Sequence, residues 1–175
     1  ALSVFSVSLL PVEKSQAALS WLMGEFGSFR DTWATAFFLI SLPLIIFIYI
    51  KSKALNALSL GEVKALSLGY SPQREKIILI LLATVLTSLA ISLSGLIGFI
   101  GLVSPHIARR FLKTSLNEKI IPAAFLIGGT LLLFSDTLGR IIISDKEIPA
   151  GSLSALIGAP VLIYLLLERK HARAE

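Results

Sequence analysis

The chain has 175 residues and a formal net charge of +5, with only 15% charged residues and a mean hydropathy of +0.84. Hydrophobic residues and the 12 glycines make up about 62% of it, against about 45–50% in soluble domains, so the composition indicates a membrane protein and excludes a disordered or collagen-like chain. The lack of cysteine excludes a disulfide scaffold and, with only two histidines, argues against a metal site of soft ligands.

The N-terminal region begins with a short apolar run over residues 1–12. Twelve helical residues rise only about 18 Å, whereas the hydrocarbon core of a bilayer is about 30 Å thick. We therefore expect this run to be a truncated transmembrane helix and the chain to be a fragment. Residues 13–31 carry charges and are expected to form an external loop with a short helix.

The uncharged stretches that follow predict four further transmembrane helices and an all-α, polytopic bundle. These helices are expected over residues 32–50, 71–93, 120–140 and 154–168. Residues 141–153 are predicted to form an external loop with a short helix, and residues 169–175 a cytoplasmic tail.

One uncharged run, over residues 77–108, is too long for a single crossing, since a continuous helix of that length would extend about 48 Å. Its three glycines at positions 95, 98 and 101 do not favour a helix. We therefore predict a non-helical segment over residues 94–104. A short helix over residues 105–113, with Ser104 as its N-cap and Pro105 as its first residue, then returns the chain to the cytoplasm.

Lysine and arginine are distributed unequally between the two sides of this layout. Twelve fall within residues 51–76, 109–119 and 169–173, and four fall on the other side, at positions 14, 30, 140 and 146. Because basic residues favour the cytoplasmic side, residues 51–70 and the C-terminus are expected there. The imbalance exists only if residues 77–108 cross the bilayer twice, which supports the predicted break.

An internal repeat lies within residues 51–70, where the sequence Ala-Leu-Ser-Leu-Gly at 57–61 recurs at 65–69. Each copy predicts a short helix that ends at a glycine in the left-handed conformation. The two helices carry apolar side chains, among them Leu55, Leu58, Val63 and Leu66. Three interpretations remain open from the residues alone: a helix pair on anionic lipid headgroups, a chance repetition, or a docking surface for a soluble partner.

Polar residues near the predicted helix ends suggest two pairs. His106 and Arg109 lie one turn apart and form no recognisable catalytic set with a serine, cysteine or carboxylate, so we interpret them as interfacial rather than catalytic. Asp136 and Arg140 are four residues apart on one helix face and are expected to pair at the external interface. The chain has no G-x-x-x-x-G-K-[ST] motif, so any use of ATP must come from another polypeptide.

The order of these motifs closely resembles the permease family of ABC importers for iron-siderophore, haem and vitamin B12. The main signature matches over residues 95–109, through Gly95, Gly98, Gly101, Pro105, His106 and Arg109. A W-x-x-G motif matches at residues 21–24, and Asp136 with Arg140 matches a further motif. A motif that relatives use to contact the ATPase matches at Leu55, Asn56, Leu58, Leu60, Gly61, Glu62, Ala65, Leu68 and Gly69. Structural motifs near the C-terminus match at Glu147, Pro149, Gly151, Gly158 and Pro160.

The resemblance implies the C-terminal half of a ten-helix permease in the plasma membrane, and a transporter rather than an enzyme. It implies ABC ATPase subunits docked on residues 55–69, an extracytoplasmic substrate-binding protein that meets Arg140, and a second permease subunit in a homodimer. The chain itself would bind no cofactor, since ATP is used by the partner subunit. The implied cargo is a metal chelate, and the implied surroundings are the lipid bilayer, with no nucleic acid.

Two other functions are compatible with the residues alone. A permease for a small divalent metal ion would need several histidines or carboxylates within the membrane, and the predicted spans offer one of each. A membrane enzyme that uses His106 and Arg109 would need a nucleophile or acid partner, and Asp136 lies about a helix away in the predicted layout.

Overall fold

The computed structural model describes Ser15, Ala18 and residues 21–24, 31–142 and 149–171, without the side chains of residues 31–33, 142 and 164–171. The truncated helix expected over residues 1–12 lies outside the described residues, as do most of 13–31, positions 143–148 and positions 172–175. Within the described ranges the regular secondary structure is entirely helical.

Seven helices have defined bounds. In chain order they are α1 (Asp31–Ile50), α2 (Ser52–Ser59), α3 (Glu62–Ser67), α4 (Pro72–Ser94), α5 (Ile100–Leu112), α6 (Asn117–Ile142) and α7 (Ala150–His171). With a rise of about 1.5 Å per residue, the 23 residues of α4 extend about 35 Å and the 26 of α6 about 39 Å. Both helices are therefore longer than the hydrocarbon core of a bilayer is thick.

Length and hydropathy mark two helices of the described chain as able to cross a membrane, over Pro72–Ser94 and Asn117–Ile141. A third candidate combines Ala34–Ile50 with Ser52–Ser59, which meet at a bend of 45°. The bend lies at Lys51, the residue that separates α1 from α2. A charged residue therefore marks the point at which the chain turns out of the apolar helix.

The predicted non-helical segment over residues 94–104 is wrong in its second half. The backbone is non-helical only at residues 95–99, and α5 begins at Ile100 with Pro105 inside it. Phe99 occupies the left-handed region at φ 66°, and its carbonyl oxygen accepts hydrogen bonds from the amides of Leu102 and Val103 at 3.0 and 2.9 Å. The first turn of α5 is thus anchored on Phe99, so Ser104 is not its N-cap and Pro105 is not its first residue.

Two other predicted bounds also differ from the structure. The last helix begins at Ala150 rather than at residue 154, so part of the loop expected over 141–153 is helical. The short helix expected over residues 105–113 ends at Leu112, and Lys113 follows it at φ 50°.

The chain forms two compact units. The first comprises the described residues of Ala1–Ser28, Ile91–Val103 and Gly129–Glu175. The second comprises the described residues of Phe29–Ala90 and Ser104–Gly128. The second unit contains the repeat segment, which we define as residues 51–70, and the first contains most of the glycine motifs.

Candidate functional site

The repeat segment folds as two short helices, each followed by a glycine with positive φ. Gly61 has φ 101° and Gly69 has φ 84°, and a Cβ at either position would meet no atom within 4 Å. Backbone conformation rather than space therefore requires glycine at these positions. After α3, the backbone amide of Tyr70 donates a hydrogen bond to the carbonyl of Ala65 at 3.0 Å. The amide of Gly69 donates to the carbonyl of Leu66 at 2.9 Å, and together the two bonds form a Schellman motif.

Small side chains of the repeat segment point inward and large apolar ones point outward. The alanines at positions 54, 57 and 65 are buried, with 1%, 3% and 0% of their surface exposed. Leu55, Asn56 and Leu58 are half-buried. The exposed apolar side chains form what we call the leucine–valine surface, which consists of Leu60, Val63, Leu66 and Leu68, and Val63 is the most exposed of them at 82%.

An ion pair fastens the start of the repeat segment to α4. The ammonium of Lys51 donates to Oε1 of Glu75 at 2.7 Å, and both side chains are mostly buried. Glu75 lies in the first turn of α4, where the helix dipole favours a negative charge. Its Oε2 atom is buried without a hydrogen-bond partner, so the pair relies on a single contact between the carboxylate and the ammonium.

A second ion pair lies on the exposed side of the repeat segment. The ammonium of Lys76 donates to Oε1 of Glu62 at 2.5 Å, and both side chains are at least half exposed. The hydrogen bond and the positive charge of Lys76 lower the pKa of the Glu62 carboxyl below its ordinary value of 4.5. Glu62 is also in the first turn of α3, beside the leucine–valine surface.

Three motif glycines meet in the first unit, and we call them the glycine cluster: Gly24, Gly95 and Gly151. The amide of Gly151 donates to the carbonyl of Gly24 at 3.1 Å. A Cβ at Gly151 would overlap the carbonyl oxygen of Met23, and one at Gly95 would overlap that of Trp21. Backbone therefore packs directly on backbone, and the W-x-x-G motif, the signature and the C-terminal motif are parts of one structural element.

The non-helical residues 95–99 also contact the next turns of α7. A Cβ at Gly158 would lie 2.5 Å from the Cβ of Phe99, so glycine is required for Phe99 to lie against α7. The hydroxyl of Ser154 donates to the carbonyl of Gly151 at 2.8 Å and lies 3.4 Å from that of Gly98. The non-helical backbone is thus covered by protein in part: Gly95 is buried, whereas Leu96 is exposed.

The remaining residues of the signature and C-terminal motifs play a lesser part in this packing. Gly98 has no atom within 4 Å of an added Cβ, and the same holds for Gly101, which is exposed in the first turn of α5. Pro105 and His106 are half-buried within α5, and Arg109 is exposed in its last turn. Pro149 is half-buried and Pro160 exposed on either side of the contacts made by α7, while Glu147 lies outside the described residues.

Asp136 and Arg140 form an ion pair near the end of α6. Nε of Arg140 donates to Oδ2 of Asp136 at 3.0 Å, and Nη2 lies 3.5 Å from Oδ1, so the guanidinium faces both carboxylate oxygens. About half of the Arg140 side chain is exposed. The sequence predicts this pair from the four-residue spacing, and the structure contains it.

No group of three or more histidine, cysteine, aspartate or glutamate side chains is placed to hold a metal ion within the described part of the chain. Lys51 and Asn56 of the repeat segment instead contact Glu75 and Asn117, and Asp136 of α6 contacts Arg140. The geometry offers two exposed features, the leucine–valine surface and the Asp136–Arg140 pair, and one packed element, the glycine cluster.

A family model described as the FecCD transport family matches residues 1–168. The chain belongs to the FecCD transport family. It is therefore a multi-pass membrane protein of a transport family rather than of an enzyme family.

Curated relatives of this FecCD chain are permease subunits of importers. The chain is 43% identical over 152 residues to the Fe(3+)-citrate import system permease YfmE of Bacillus subtilis, covering 86% of the chain and 45% of that protein. It is 36% identical over 156 residues to the hemin transport system permease HmuU of Yersinia pestis, covering 88% and 46%. It is 37% identical over 156 residues to the vitamin B12 permease BtuC of Serratia proteamaculans, covering 87% and 45%.

A solved structure shares the fold of this FecCD chain. It is described as an inward-facing conformation of a putative metal-chelate type ABC transporter, with a TM-score of 0.84 and 31% identity, and the match covers 93% of this chain and 52% of that one. The chain thus spans about half the length of the relatives it matches.

Sequence reasoning missed several residues that hold the site together. Lys51, Glu75 and Asn117 fasten the repeat segment, and Phe99 and Ser154 hold the non-helical residues on α7. A local signal exists only for Asn117, since asparagine is common at helix starts. The other partners are distant in sequence, so a single sequence gives no indication of them.

Proposed function

We propose that this chain forms the C-terminal half of a permease of full family length, hereafter the full-length permease, which imports a metal chelate. Energy comes from ATP hydrolysed by separate ABC ATPase subunits, and the cargo is delivered by an extracytoplasmic substrate-binding protein. The relatives named for citrate-bound iron, hemin and vitamin B12 support a chelate as cargo rather than a bare divalent ion. The full-length permease acts as a homodimer in the plasma membrane.

The leucine–valine surface is the observation that carries this proposal. Its four apolar side chains point away from the protein, on a segment that lies between two candidate membrane spans. Exposed Lys53 and Lys64 flank the surface, so it favours a partner with acidic groups around an apolar pocket. Together with the matching ATPase-contact motif, these features support docking of the ATPase subunit here rather than contact with lipid.

Cysteine labelling tests the docking directly, since this chain has no cysteine of its own. Val63→Cys in the full-length permease should react with a water-soluble maleimide, and adding the ATPase subunit should protect it. Phe111→Cys is the matched control because Phe111 is also 82% exposed but lies on α5, outside the repeat segment. We expect its labelling to be unchanged by the ATPase subunit.

Two labelling results would contradict the proposal. Protection of position 63 by lipid alone would favour the headgroup interpretation, and equal labelling with and without the ATPase subunit would contradict docking on this surface.

Labelling of intact cells tests the proposed topology. Arg140→Cys should react with an impermeant reagent from outside while position 63 does not, because the C-terminus and the repeat segment are proposed to be cytoplasmic. Labelling of both positions from one side would refute this topology.

Val63→Asp measures how much the surface contributes to binding. Burying a valine side chain stabilises a complex by about 1.5–3 kcal/mol, so we expect the Kd for the ATPase subunit to rise by roughly ten- to a hundredfold. Because Val63 is exposed, the substitution should leave the amount of folded permease unchanged. A Kd within twofold of wild type would place Val63 outside the interface.

A further inference from the structure

An asparagine of the repeat segment is bonded to the start of a distant helix. Oδ1 of Asn56, in α2, accepts a hydrogen bond from the backbone amide of Asn117 at 2.9 Å and a second from Nδ2 of Asn117 at 2.8 Å. The two residues are separated by 61 positions in sequence, and both side chains are partly buried. The Asn56–Asn117 contact therefore joins two elements that the chain order does not bring together.

The contact supplies a cap that α6 lacks locally. Helix starts leave four amides without intrahelical partners, and Asn117 is the first residue of α6. Leu116 occupies the capping position, since its carbonyl accepts from Lys119 and Ile120, but its side chain has no hydrogen-bond acceptor. Asn56 provides the missing acceptor from α2, so α6 begins on the repeat segment itself.

Asn56 is less exposed than the residues of the leucine–valine surface. It is half-buried, and its amide oxygen is already occupied by two donors, whereas the four residues of that surface are all more than half exposed. The two ion pairs of the region connect the repeat segment to α4, and the Asn56–Asn117 contact connects it to α6. Since α6 is continuous through residue 142, it also carries Asp136 and Arg140.

We infer that Asn56 is a positioning residue for coupling: it fastens the repeat segment to α6, so that a displacement of either one moves the other. The inference rests on the proposed function, in which the ATPase subunit docks on the repeat segment and the binding protein meets Arg140. The Asn56–Asn117 contact caps the first turn of α6 from α2, so a shift of α2 acts directly on that turn. Binding at the Arg140 end of α6 is thereby transmitted to the surface that holds the ATPase.

The test uses the complete importer in proteoliposomes, with the full-length permease, the ATPase subunit and the chelate-loaded binding protein. The measured quantity is the stimulation, defined as the rate of ATP hydrolysis with the binding protein divided by the rate without it. Asn56→Leu removes both hydrogen bonds at similar volume, and Asn117→Ala removes the side-chain bond while keeping the backbone one. A hydrogen bond corresponds to a factor of about five, so we expect stimulation to fall by roughly fivefold in Asn117→Ala and by roughly thirtyfold in Asn56→Leu.

Three further variants separate positioning from a general structural role. Asn56→Asp keeps an acceptor for both donors and should restore stimulation to within about twofold of wild type. Thr87→Ala removes a hydrogen bond that stays inside α4, from its hydroxyl to the carbonyl of Ala83, and should have no effect. The double variant Asn56→Leu/Asn117→Ala should be no worse than Asn56→Leu, because the single substitution already removes both bonds.

The outcomes distinguish this inference from the proposed function. If the wild-type full-length permease does not bind the ATPase subunit, the proposed function fails. If it binds the ATPase subunit and Asn56→Leu and Asn117→Ala are both stimulated like wild type, the positioning role of Asn56 is wrong while the proposed function stands. If Asn56→Leu does not fold, the other two variants test the inference. Normal stimulation in Asn117→Ala would overturn it, and so would a complete loss of stimulation in Asn56→Asp.

Discussion

The glycine cluster gives the sharpest prediction for stability. In Gly151→Ala the new methyl group overlaps the carbonyl oxygen of Met23 and lies 2.9 Å from that of Leu96. Both atoms belong to backbone, so no side chain can rotate away to make room. Relief requires the segment around Met23 to move off α7, which also breaks the hydrogen bond from Gly151 to Gly24.

The expected cost follows from three contributions. Overpacking of a close contact costs about 1–3 kcal/mol, and the lost hydrogen bond costs about 1 kcal/mol. Alanine offsets up to about 1 kcal/mol of this, because it favours helix more than glycine does. We therefore expect Gly151→Ala to lower the free energy of unfolding by about 1–4 kcal/mol in the full-length permease.

Gly101→Ala is the matched control for this substitution. Gly101 is the second residue of α5 as Gly151 is the second residue of α7, and a Cβ there would meet nothing within 4 Å. Only the helix propensity changes, so its unfolding free energy should stay equal or rise by up to about 1 kcal/mol. Unfolding of both variants in detergent, followed by intrinsic fluorescence, gives the comparison. Equal stability of the two variants would refute the backbone packing of the glycine cluster.

Two ion pairs give the remaining predictions. In Lys76→Met, the pKa of the Glu62 carboxyl should rise to its ordinary value, which a titration of the carboxyl 13C shift measures. Because Lys76 lowers that pKa in the folded protein, the pair stabilises the fold above pH 4.5. This stabilisation is lost as the pH falls through the lowered pKa. Asp136→Asn should change the unfolding free energy by less than about 0.5 kcal/mol, since the pair is exposed. It should nevertheless slow association with the binding protein in stopped-flow measurements, because Arg140 loses the carboxylate that orients it, and an unchanged rate would contradict this role.

The helical layout was largely predictable because membrane burial makes charge a direct marker of where helices end. Asp31 and Lys51 bound the apolar run that forms α1. The basic residues after Ala108 bound the uncharged run over residues 77–108, which is too long for one helix to cross the bilayer and is therefore predicted to contain a non-helical segment. The glycines at 61 and 69 predicted the two helix ends of the repeat segment, because positive φ is a local requirement. These features depend on neighbours in sequence, so the sequence reveals them.

The start of α5 shows where local signals fail. Ser104 and Pro105 have the sequence of a helix start, yet the helix begins five residues before Pro105. Phe99 lies against Gly158 of α7, and its carbonyl anchors the first turn, so packing between distant segments decides the boundary. The meeting of Gly24, Gly95 and Gly151 was equally hidden, since no local pattern indicates which glycines share a contact.

The repeat segment buries alanines within its helices and exposes a leucine directly after each helix, and this arrangement is the strongest physical argument for an interface. A helix that only packs on its own protein buries its large apolar residues and exposes polar ones. Here the buried residues are Ala54, Ala57 and Ala65, while Leu60 and Leu68, at the same place in the two repeats, are 57% and 58% exposed. Alanine permits close packing of the backbone, and the outward leucines gain their hydrophobic stabilisation only when a partner covers them. The repetition of this pattern in both copies supports the proposed docking of a partner on this segment.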